Sequence, residues 1–181
     1  MRLDVRGSLL SDLFRIGGVL LAISAPAGAL DPSYQGYAVP AATPGLTPDF
    51  TLEVRLTDPA GLPENVPKAQ AELVWDDPRL RLRGEGFEGE LDFAAGAGWL
   101  CQGPGSTCYR VAVQLILARR LLPRRGFLVH GAGLVREGRG FLFVGPSGAG
   151  KTTVAGLGGL PILSDETCLV RIEADGAALA G

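Results

Sequence analysis

The chain has 181 residues, which is enough for one domain or for two small ones. Hydrophobic residues make up 46% of it, so it can bury a core and does not belong to the disordered class. Its formal net charge of −2 argues against a general nucleic-acid binder or a protein held on membrane surfaces by charge. The cysteines, Cys101, Cys108 and Cys168, are odd in number and match no zinc-binding spacing, which indicates reduced thiols in a cytoplasmic protein.

An apolar stretch near the N-terminus, Gly17–Leu30, ends in small residues of the kind that signal peptidase accepts. The segment before it is long and carries Asp4 and Asp12, whereas a signal peptide begins with a short, net-positive segment. The stretch is also too short and too rich in glycine and proline to span a membrane. We therefore predict a buried strand over Ile16–Ser24, with a secretion signal as the alternative, and a short helix over Ser8–Phe14.

Residues 25–48 are rich in proline and predict a long loop, whose Tyr34 and Tyr37 pack against the core. Short segments with alternating apolar and polar residues follow, separated by turn residues, as in half-buried strands. The pair Asp76-Asp77 precedes a proline and predicts a turn, with a metal-binding pair as the alternative. The predicted strands are Asp49–Leu56, Ala71–Trp75, Leu80–Gly84, Leu91–Phe93 and a short one around Trp99 and Cys101. Residues 1–107 are thus predicted to form a β-rich domain.

A helix is predicted over Tyr109–Leu122, because its apolar residues recur at helical spacing and Pro123 stops it. Four arginines lie at its C-terminal end, where cations favour the helix dipole. They either face solvent or belong to a surface that faces an acidic substrate or phosphate. These arginines are Arg119, Arg120, Arg124 and Arg125.

The remaining segments alternate between short strands and turns. Residues 136–140 predict a hairpin turn, and a helix of about two turns starts near Thr152 before several glycines end it. The predicted strands are 126–135, which is one strand or two, and 141–144, 161–166 and 167–172. Residues 108–181 are predicted to form the second domain.

The segment Gly145–Thr152 has the pattern G-x-x-x-x-G-K-T, which follows an apolar strand and opens a helix, as a phosphate-binding loop does. Its glycines let the backbone N–H groups converge on an anion. Lys151 is predicted to reach the β- and γ-phosphates, and the hydroxyl of Thr152 to hold Mg²⁺. The alternative is a glycine-rich turn that binds nothing. The residues predicted to bind a nucleoside triphosphate are Gly145, Pro146, Ser147, Gly148, Ala149, Gly150, Lys151, Thr152 and Thr153.

Two acids, Asp165 and Glu166, follow an apolar strand after the loop. Carboxylates at the end of a neighbouring strand are natural ligands for Mg²⁺, and one of them could accept a proton from an attacking hydroxyl or water. The alternative is a solvated strand end. His130 is the only histidine and lies one strand before the loop. It is predicted either to contact the substrate or γ-phosphate or to serve in packing.

The order of these residues is similar to that in the HPr kinase/phosphorylase and phosphoenolpyruvate-carboxykinase-like proteins. Residues 126–172 resemble most closely the bacterial HPr-kinase-related proteins, which have a β-rich N-terminal region before a phosphate-loop block. The resemblance implies an α/β fold, with a P-loop nucleotide-binding core of the HPr kinase/PEP carboxykinase-like type preceded by that β-rich region. In this group further strands and the acceptor-recognition segment come after the point where this chain stops, so the resemblance implies an incomplete second domain.

Residue by residue, the resemblance implies that Lys151 and the loop backbone bind ATP and that Thr152 binds Mg²⁺. It makes Asp165 the general base toward a hydroxyl acceptor, Glu166 a metal-side residue and His130 the active-site histidine. The sequence departs from the pattern in having Glu166 as the second acid and in the short helix after the loop.

These patterns predict an ATP- and Mg²⁺-dependent phosphotransferase that acts on a hydroxyl of a protein, peptide or small molecule. The alternatives are a nucleotide-binding regulatory or scaffold module without transfer activity, and a simple NTPase. No motif identifies the phosphate acceptor or distinguishes ATP from GTP. No nucleic-acid or membrane partner is expected, and a homo-oligomer is one expected state because the related kinases form oligomers.

Overall fold

The computed structural model describes residues 10–40, 45–57, 72–84, 86–146, 148–157 and 159–181. The chain divides into two compact units, Met1–Ile116 and Leu117–Gly181. The division falls inside helix α1, which spans Tyr109–Leu121.

The first unit is built on one sheet, which has eight strands in the described part of the chain. Along the sheet the strands follow the order β3-β1-β2-β4-β8-β7-β6-β5. The strands β2, β4 and β8 run parallel to one another at its centre, and the other neighbours are antiparallel. The strands are Leu10–Ile16 (β1), Val19–Ala25 (β2), Ala38–Val39 (β3), Phe50–Leu56 (β4), Glu72–Asp76 (β5), Arg79–Gly84 (β6), Phe87–Asp92 (β7) and Ala97–Gln102 (β8).

The hairpin of β1 and β2 corrects the prediction of a helix over Ser8–Phe14. Residues Leu10–Phe14 lie in β1, while residues 8 and 9 fall outside the described part of the chain. The turn consists of Gly17 and Gly18, whose φ angles are +58° and +83°. Two consecutive positive φ angles make a turn that matches the twist of an antiparallel pair, so these glycines fold β1 back on β2.

The burial of β2 and β4 follows their sequence patterns. In β4 every second side chain is buried, namely Phe50, Leu52 and Val54, which confirms the predicted half-buried strand. In β2 nearly all side chains are buried, as in a central strand that is covered on both faces. The prediction of a buried strand is therefore confirmed for Val19–Ser24, and its start at Ile16 is wrong because Ile16 ends β1.

One face of strands β5–β7 carries rows of opposite charge. Three arginines on β6 alternate with buried leucines; Arg79 and Arg83 lie opposite acids on both neighbouring strands, and Arg81 lies opposite an acid on β7. Arg79 Nε donates to Asp92 at 3.0 Å. This face is exposed, and Asp77-Pro78 forms the turn between β5 and β6, as the sequence predicted. The opposed pairs are Arg83 with Glu72 and Glu88, Arg81 with Glu90, and Arg79 with Asp76 and Asp92.

A buried glutamine joins the sheet to the start of α1. The side chain of Gln102 is fully buried, and its amide N–H donates to the Ser106 carbonyl at 2.7 Å. Its carbonyl oxygen accepts from the Tyr109 N–H at 2.8 Å. Both ends of the amide are thus satisfied at the helix N-terminus, where backbone N–H groups have no partner within the helix.

The long loop after β2 is anchored by aromatic contacts, as predicted for Tyr34. It contains a short 3-10 helix over Pro32–Tyr37, from which the Tyr34 ring contacts Phe14 edge-on with centroids 5.9 Å apart. Tyr34 also lies 5.6 Å from the Tyr109 ring, and the Tyr109 hydroxyl oxygen accepts from the Asp31 N–H at 2.7 Å. Burial raises the pKa of Tyr34 to about 12.

The second unit is a smaller antiparallel sheet with one short helix. After a 3-10 turn at Leu122–Arg124, the described residues form strands Gly126–Arg136 (β9), Arg139–Val144 (β10), Ile162–Ser164 (β11), Thr167–Glu173 (β12) and Gly176–Ala180 (β13), and helix Lys151–Leu157 (α2). The strand order is β10-β9-β12-β13, with β11 also paired to β9. The predicted strand over residues 126–135 is a single strand.

The predicted α/β P-loop core is wrong. The described residues of this unit are mostly strand, every strand pair among them is antiparallel, and α2 has only seven residues. The turn of Glu137 and Gly138, with φ angles of +51° and +73°, makes β9 and β10 a tight hairpin. An α/β core instead needs parallel neighbours joined by helical crossovers.

Within the described part of the chain, no helix is long and apolar enough to cross a membrane.

We expect Gln102→Leu to lower the free energy of unfolding by about 2 to 4 kcal/mol, because the Tyr109 N–H and the Ser106 carbonyl lose their partner inside the protein. Urea unfolding followed by circular dichroism measures this. The matched control is Gln35→Leu on the exposed 3-10 helix, which should change stability by less than about 0.5 kcal/mol. Equal effects of the two variants would contradict the role of the buried amide.

We expect stability to fall as the pH rises from 10 to 12, with Tyr34 contributing about 2 kcal/mol of the loss. The reason is that Tyr34 titrates at about 12 in the folded chain and near 10 when unfolded, so burial favours its neutral form and this contribution is complete below pH 10. Urea unfolding at several pH values compares the natural chain with Tyr34→Phe. The variant should show the shallower decline, and parallel declines would refute the assignment.

Candidate functional site

In the sheet of the second unit, the start of the loop and the acidic turn lie on opposite sides of β9, next to His130. Val144, the last residue of β10, pairs with Gly131 of β9. On the other side of β9, the Gly131 N–H donates to the Glu166 carbonyl at 3.1 Å. Neighbouring strands lie about 4.8 Å apart, so the start of the loop Gly145–Thr152 and the acidic turn are about 10 Å apart across β9.

The loop backbone has the conformation that its glycines allow. Gly148 and Gly150 have φ angles of +81° and +83°, which cost other residues energy. The Ala149 N–H donates to the Pro146 carbonyl at 3.2 Å and tightens the loop. The Val154 N–H donates to the Gly150 carbonyl at 2.9 Å, so the first helical hydrogen bond of α2 begins directly at the end of the loop.

The side chain of Lys151 folds back over the loop. Its Nζ donates to the Gly145 carbonyl at 2.9 Å and to the Pro146 carbonyl at 3.0 Å. An ammonium group has three N–H donors, and the third has no partner among the described residues. The two carbonyls therefore hold a positive charge over the loop with one donor remaining.

The acids lie in a bend between β11 and β12 that a serine organises. Ser164 Oγ accepts from the N–H of Glu166 at 3.3 Å and from the N–H of Thr167 at 3.2 Å. The register of β11 against β9 shifts at this point. The side chains of Asp165 and Glu166 are exposed, so they can reach a ligand at the surface.

His130 directly precedes Gly131 on β9 and pairs with Thr167, the first residue of β12. Its side chain is exposed. Alternation along the strand places it on the same face as Ala132 and Leu134, which form a small buried cluster with Phe143 and Leu160. The structure thus brings the histidine, the loop start and the acidic turn to neighbouring positions.

The other predicted ligands are located as follows. Thr152 lies in the first turn of α2, Thr153 is exposed beside it, and Ser147 falls outside the described residues. Across the described ranges, no group of three or more His, Cys, Asp or Glu residues could hold a metal ion.

Sequence reasoning missed the residues that support the site from behind. Cys168 is buried, its thiol donates to the Gly131 carbonyl at 3.6 Å, and burial raises the pKa of this thiol. A Cβ at Gly133 would lie 2.8 Å from this sulfur, so glycine is needed there for β12 to pack against β9. Two glycines spaced by one residue on a strand were the available signal, since strand glycines often mark a close approach. The role of Ser164 had no such signal.

One of the arginines after α1, Arg124, bonds to the end of the helix. Arg124 Nη1 donates to the Arg120 carbonyl at 2.8 Å, which satisfies a backbone acceptor at the helix C-terminus. This contact agrees with the interpretation of helix-end cations. A surface that faces phosphate stays a prediction.

No protein-family model matches the chain. No curated protein is significantly similar to it. The resemblance to the HPr-kinase-related proteins therefore rests on the motif residues alone.

We expect Ser164→Ala to speed hydrogen exchange at the Glu166 and Thr167 amides and to lower stability by about 1 kcal/mol, because both N–H groups lose their acceptor. Exchange measured by NMR reports each amide. Ser164→Thr keeps the hydroxyl and should restore protection. If Ser164→Ala leaves both amides as slow as in the natural chain, the serine does not hold the turn.

Proposed function

We propose that the segment Gly145–Thr152 binds the phosphates of a nucleoside triphosphate and that the site transfers the terminal phosphoryl group to a hydroxyl acceptor. The single observation that carries this proposal is the Lys151 ammonium, which two loop carbonyls hold over the loop with one donor remaining. A fixed cation with a spare N–H suits a phosphate oxygen, because such charge-assisted bonds are short and strong.

The residues present fit a magnesium-bound nucleotide. Mg²⁺ prefers oxygen ligands and usually takes one or two carboxylates together with substrate phosphates. Thr152, Asp165 and Glu166 are the oxygen-bearing residues that would hold it. Bound there, the ion would neutralise charge on the phosphates.

The chain's own residues would then position and activate the acceptor. Asp165 is exposed in the acidic turn and would accept the proton of the attacking hydroxyl. His130 lies on the intervening strand, one residue from the row that joins loop and turn, and would contact the acceptor or the terminal phosphate. Such transfer depends mostly on positioning and charge, for which the pairing of β10 with β9 and the hydrogen bond from β9 to the acidic turn provide a rigid base.

A second candidate is a nucleotide-binding module without transfer activity. The exposure of Asp165, Glu166 and His130 favours this module, because catalytic groups usually act in a closed site from which water is excluded. Nucleotide binding with no turnover would identify this module, and phosphate release without an acceptor would identify a simple NTPase.

We expect Lys151→Ala to weaken Mg-ATP binding by about 10- to 100-fold, since one charge-assisted hydrogen bond contributes about 1.5 to 3 kcal/mol. Titration calorimetry on the folded variant measures this. The matched control is Arg171→Ala, which removes the same charge at an exposed position of β12 and should leave binding unchanged.

Three results separate the candidates. Binding that depends on Lys151, together with phosphorylation of a hydroxyl compound or protein, supports the phosphotransferase. Binding without transfer supports the module. If the folded natural chain binds no Mg-ATP, or if the two variants lose affinity equally, the loop is not a nucleotide site.

A further inference from the structure

The strand that leads into the phosphate loop lies at the edge of its sheet. Among the described residues β10 pairs only with β9. Its segment Gly140–Val144 carries no charge, and Phe141 and Val144 are 43% and 63% exposed. An exposed, uncharged apolar edge strand is a template for pairing with another strand, and natural proteins usually protect such edges.

The direction of the backbone groups on β10 follows from those on β9. The N–H groups of Gly131 and Val135 point toward the acidic side of β9, where they donate to the carbonyls of Glu166 and Pro161. Since successive residues alternate, Ala132 and Leu134 present their backbone groups to β10, where they pair with Phe143 and Phe141. The residues in between, Gly140, Leu142 and Val144, therefore present their N–H and C=O groups to the open edge.

A neighbouring strand does not block this edge. A Cβ at Gly140 would lie 3.0 Å from the Leu179 Cβ of β13. A Cβ points out of the plane of a sheet, so Leu179 covers the face of β10 and leaves its hydrogen-bonding edge open.

We propose that a second copy of this chain adds to this edge, antiparallel and centred on Leu142. In this register Leu142 lies opposite Leu142 of the partner copy, and Gly140 lies opposite Val144. All three residues with outward backbone groups then exchange N–H···O=C bonds. Phe141 faces Phe143 in the closer, non-hydrogen-bonded pairs, where aromatic side chains stabilise the pairing of strands.

Other registers satisfy fewer groups. A shift of two residues shortens the five-residue overlap and leaves one aromatic pair instead of two. In one direction Phe141 lies opposite Phe141 and Phe143 lies opposite Arg139. In the other direction Phe143 lies opposite Phe143 and Phe141 lies opposite Gly145. A shift of one residue would bring inward-pointing backbone groups opposite outward-pointing ones. The centred register is the one in which the whole uncharged segment pairs with itself and no like charges lie opposite each other.

The same register places Arg139 of each copy opposite Gly145 of the other, where the phosphate loop begins. Arg139 lies on the same face as Phe141 and Phe143, which is the face of His130. The end of the β9–β10 hairpin, residues 136–139, comes with Arg139 and carries two arginines and one glutamate, so its net charge is positive. A role for Arg139 in contacting phosphate rests on the proposed function. An arginine supplied by a partner stabilises charge in phosphoryl transfer. With this role for Arg139, each site is complete only in the dimer.

The pairing itself is tested without nucleotide. Leu142→Cys puts two cysteines opposite each other at a Cα separation of about 5.5 Å, which a disulfide bridges. We expect oxidation to yield a covalent dimer on a non-reducing gel. The matched control is Val144→Cys, which is exposed on the same strand but lies about 13 Å from its own copy in this register and should not cross-link to it. The three natural cysteines are common to both variants.

Sedimentation velocity on the unmodified chain tests the pairing without any substitution, so misfolding of a variant cannot affect its result. We expect a dimer that dissociates on dilution, and Leu142→Pro should abolish it, because proline removes an outward N–H but no bond to β9. A monomer at every concentration, or equal cross-linking of the two cysteine variants, overturns the proposal.

The contribution of Arg139 is tested by complementation. We expect Arg139→Ala to weaken Mg-ATP binding about tenfold. Mixing it with Lys151→Ala should restore about a quarter of the natural number of sites, since half of randomly paired dimers are mixed and each has one complete site. A dimer whose Arg139→Ala variant binds normally refutes the shared site and leaves the loop as a nucleotide site. Absence of binding by the natural chain refutes the proposed function, while the cross-link still reports on the edge.

Discussion

The hydrogen-bond ladder of β9 is the constraint on which the second unit depends. This strand binds β10 along its second half, and on its other side it binds β11 and β12. The strands on both sides of β9 must approach it closely. Gly131 and Gly133 allow this, because a Cβ at these positions would meet the Phe143 carbonyl or the Cys168 sulfur. The position of the loop Gly145–Thr152 relative to the acids follows from this ladder, because each is attached to a strand that β9 holds in register.

The first unit has a different constraint. Its sheet must cover a buried core and also present charged residues to solvent. Its central strand β2 is almost entirely apolar, whereas β4, β6 and β7 alternate buried residues with polar or charged residues that are more exposed. The buried amide of Gln102 then lets α1 start against the sheet without leaving polar groups unsatisfied. Local patterns decide each strand, and one buried polar side chain decides where the helix attaches.

The phosphate-loop motif is supported here by an antiparallel sheet and a seven-residue helix. The features on which the proposed anion site depends are local, namely the positive φ angles of Gly148 and Gly150 and the position of Lys151 near the loop carbonyls. The local conformation of the loop therefore does not require the parallel architecture that the sequence predicted. The open edge of β10 connects this loop to the surface that a second copy would use.

The sequence by itself determined the local elements: the strand periodicity of Phe50–Leu56, the helix ended near Pro123, the turn at Asp77-Pro78 and the glycine–lysine loop. These depend on contacts between residues close in the chain, which composition and spacing encode. Only the tertiary structure decided that Leu10–Phe14 is strand, that β10 and β11 flank β9 in antiparallel order, and that Ser164 holds the acidic turn. Those outcomes depend on partners distant in the chain, and apolar strands of similar pattern can pair in either direction until hydrogen bonds across the sheet select one.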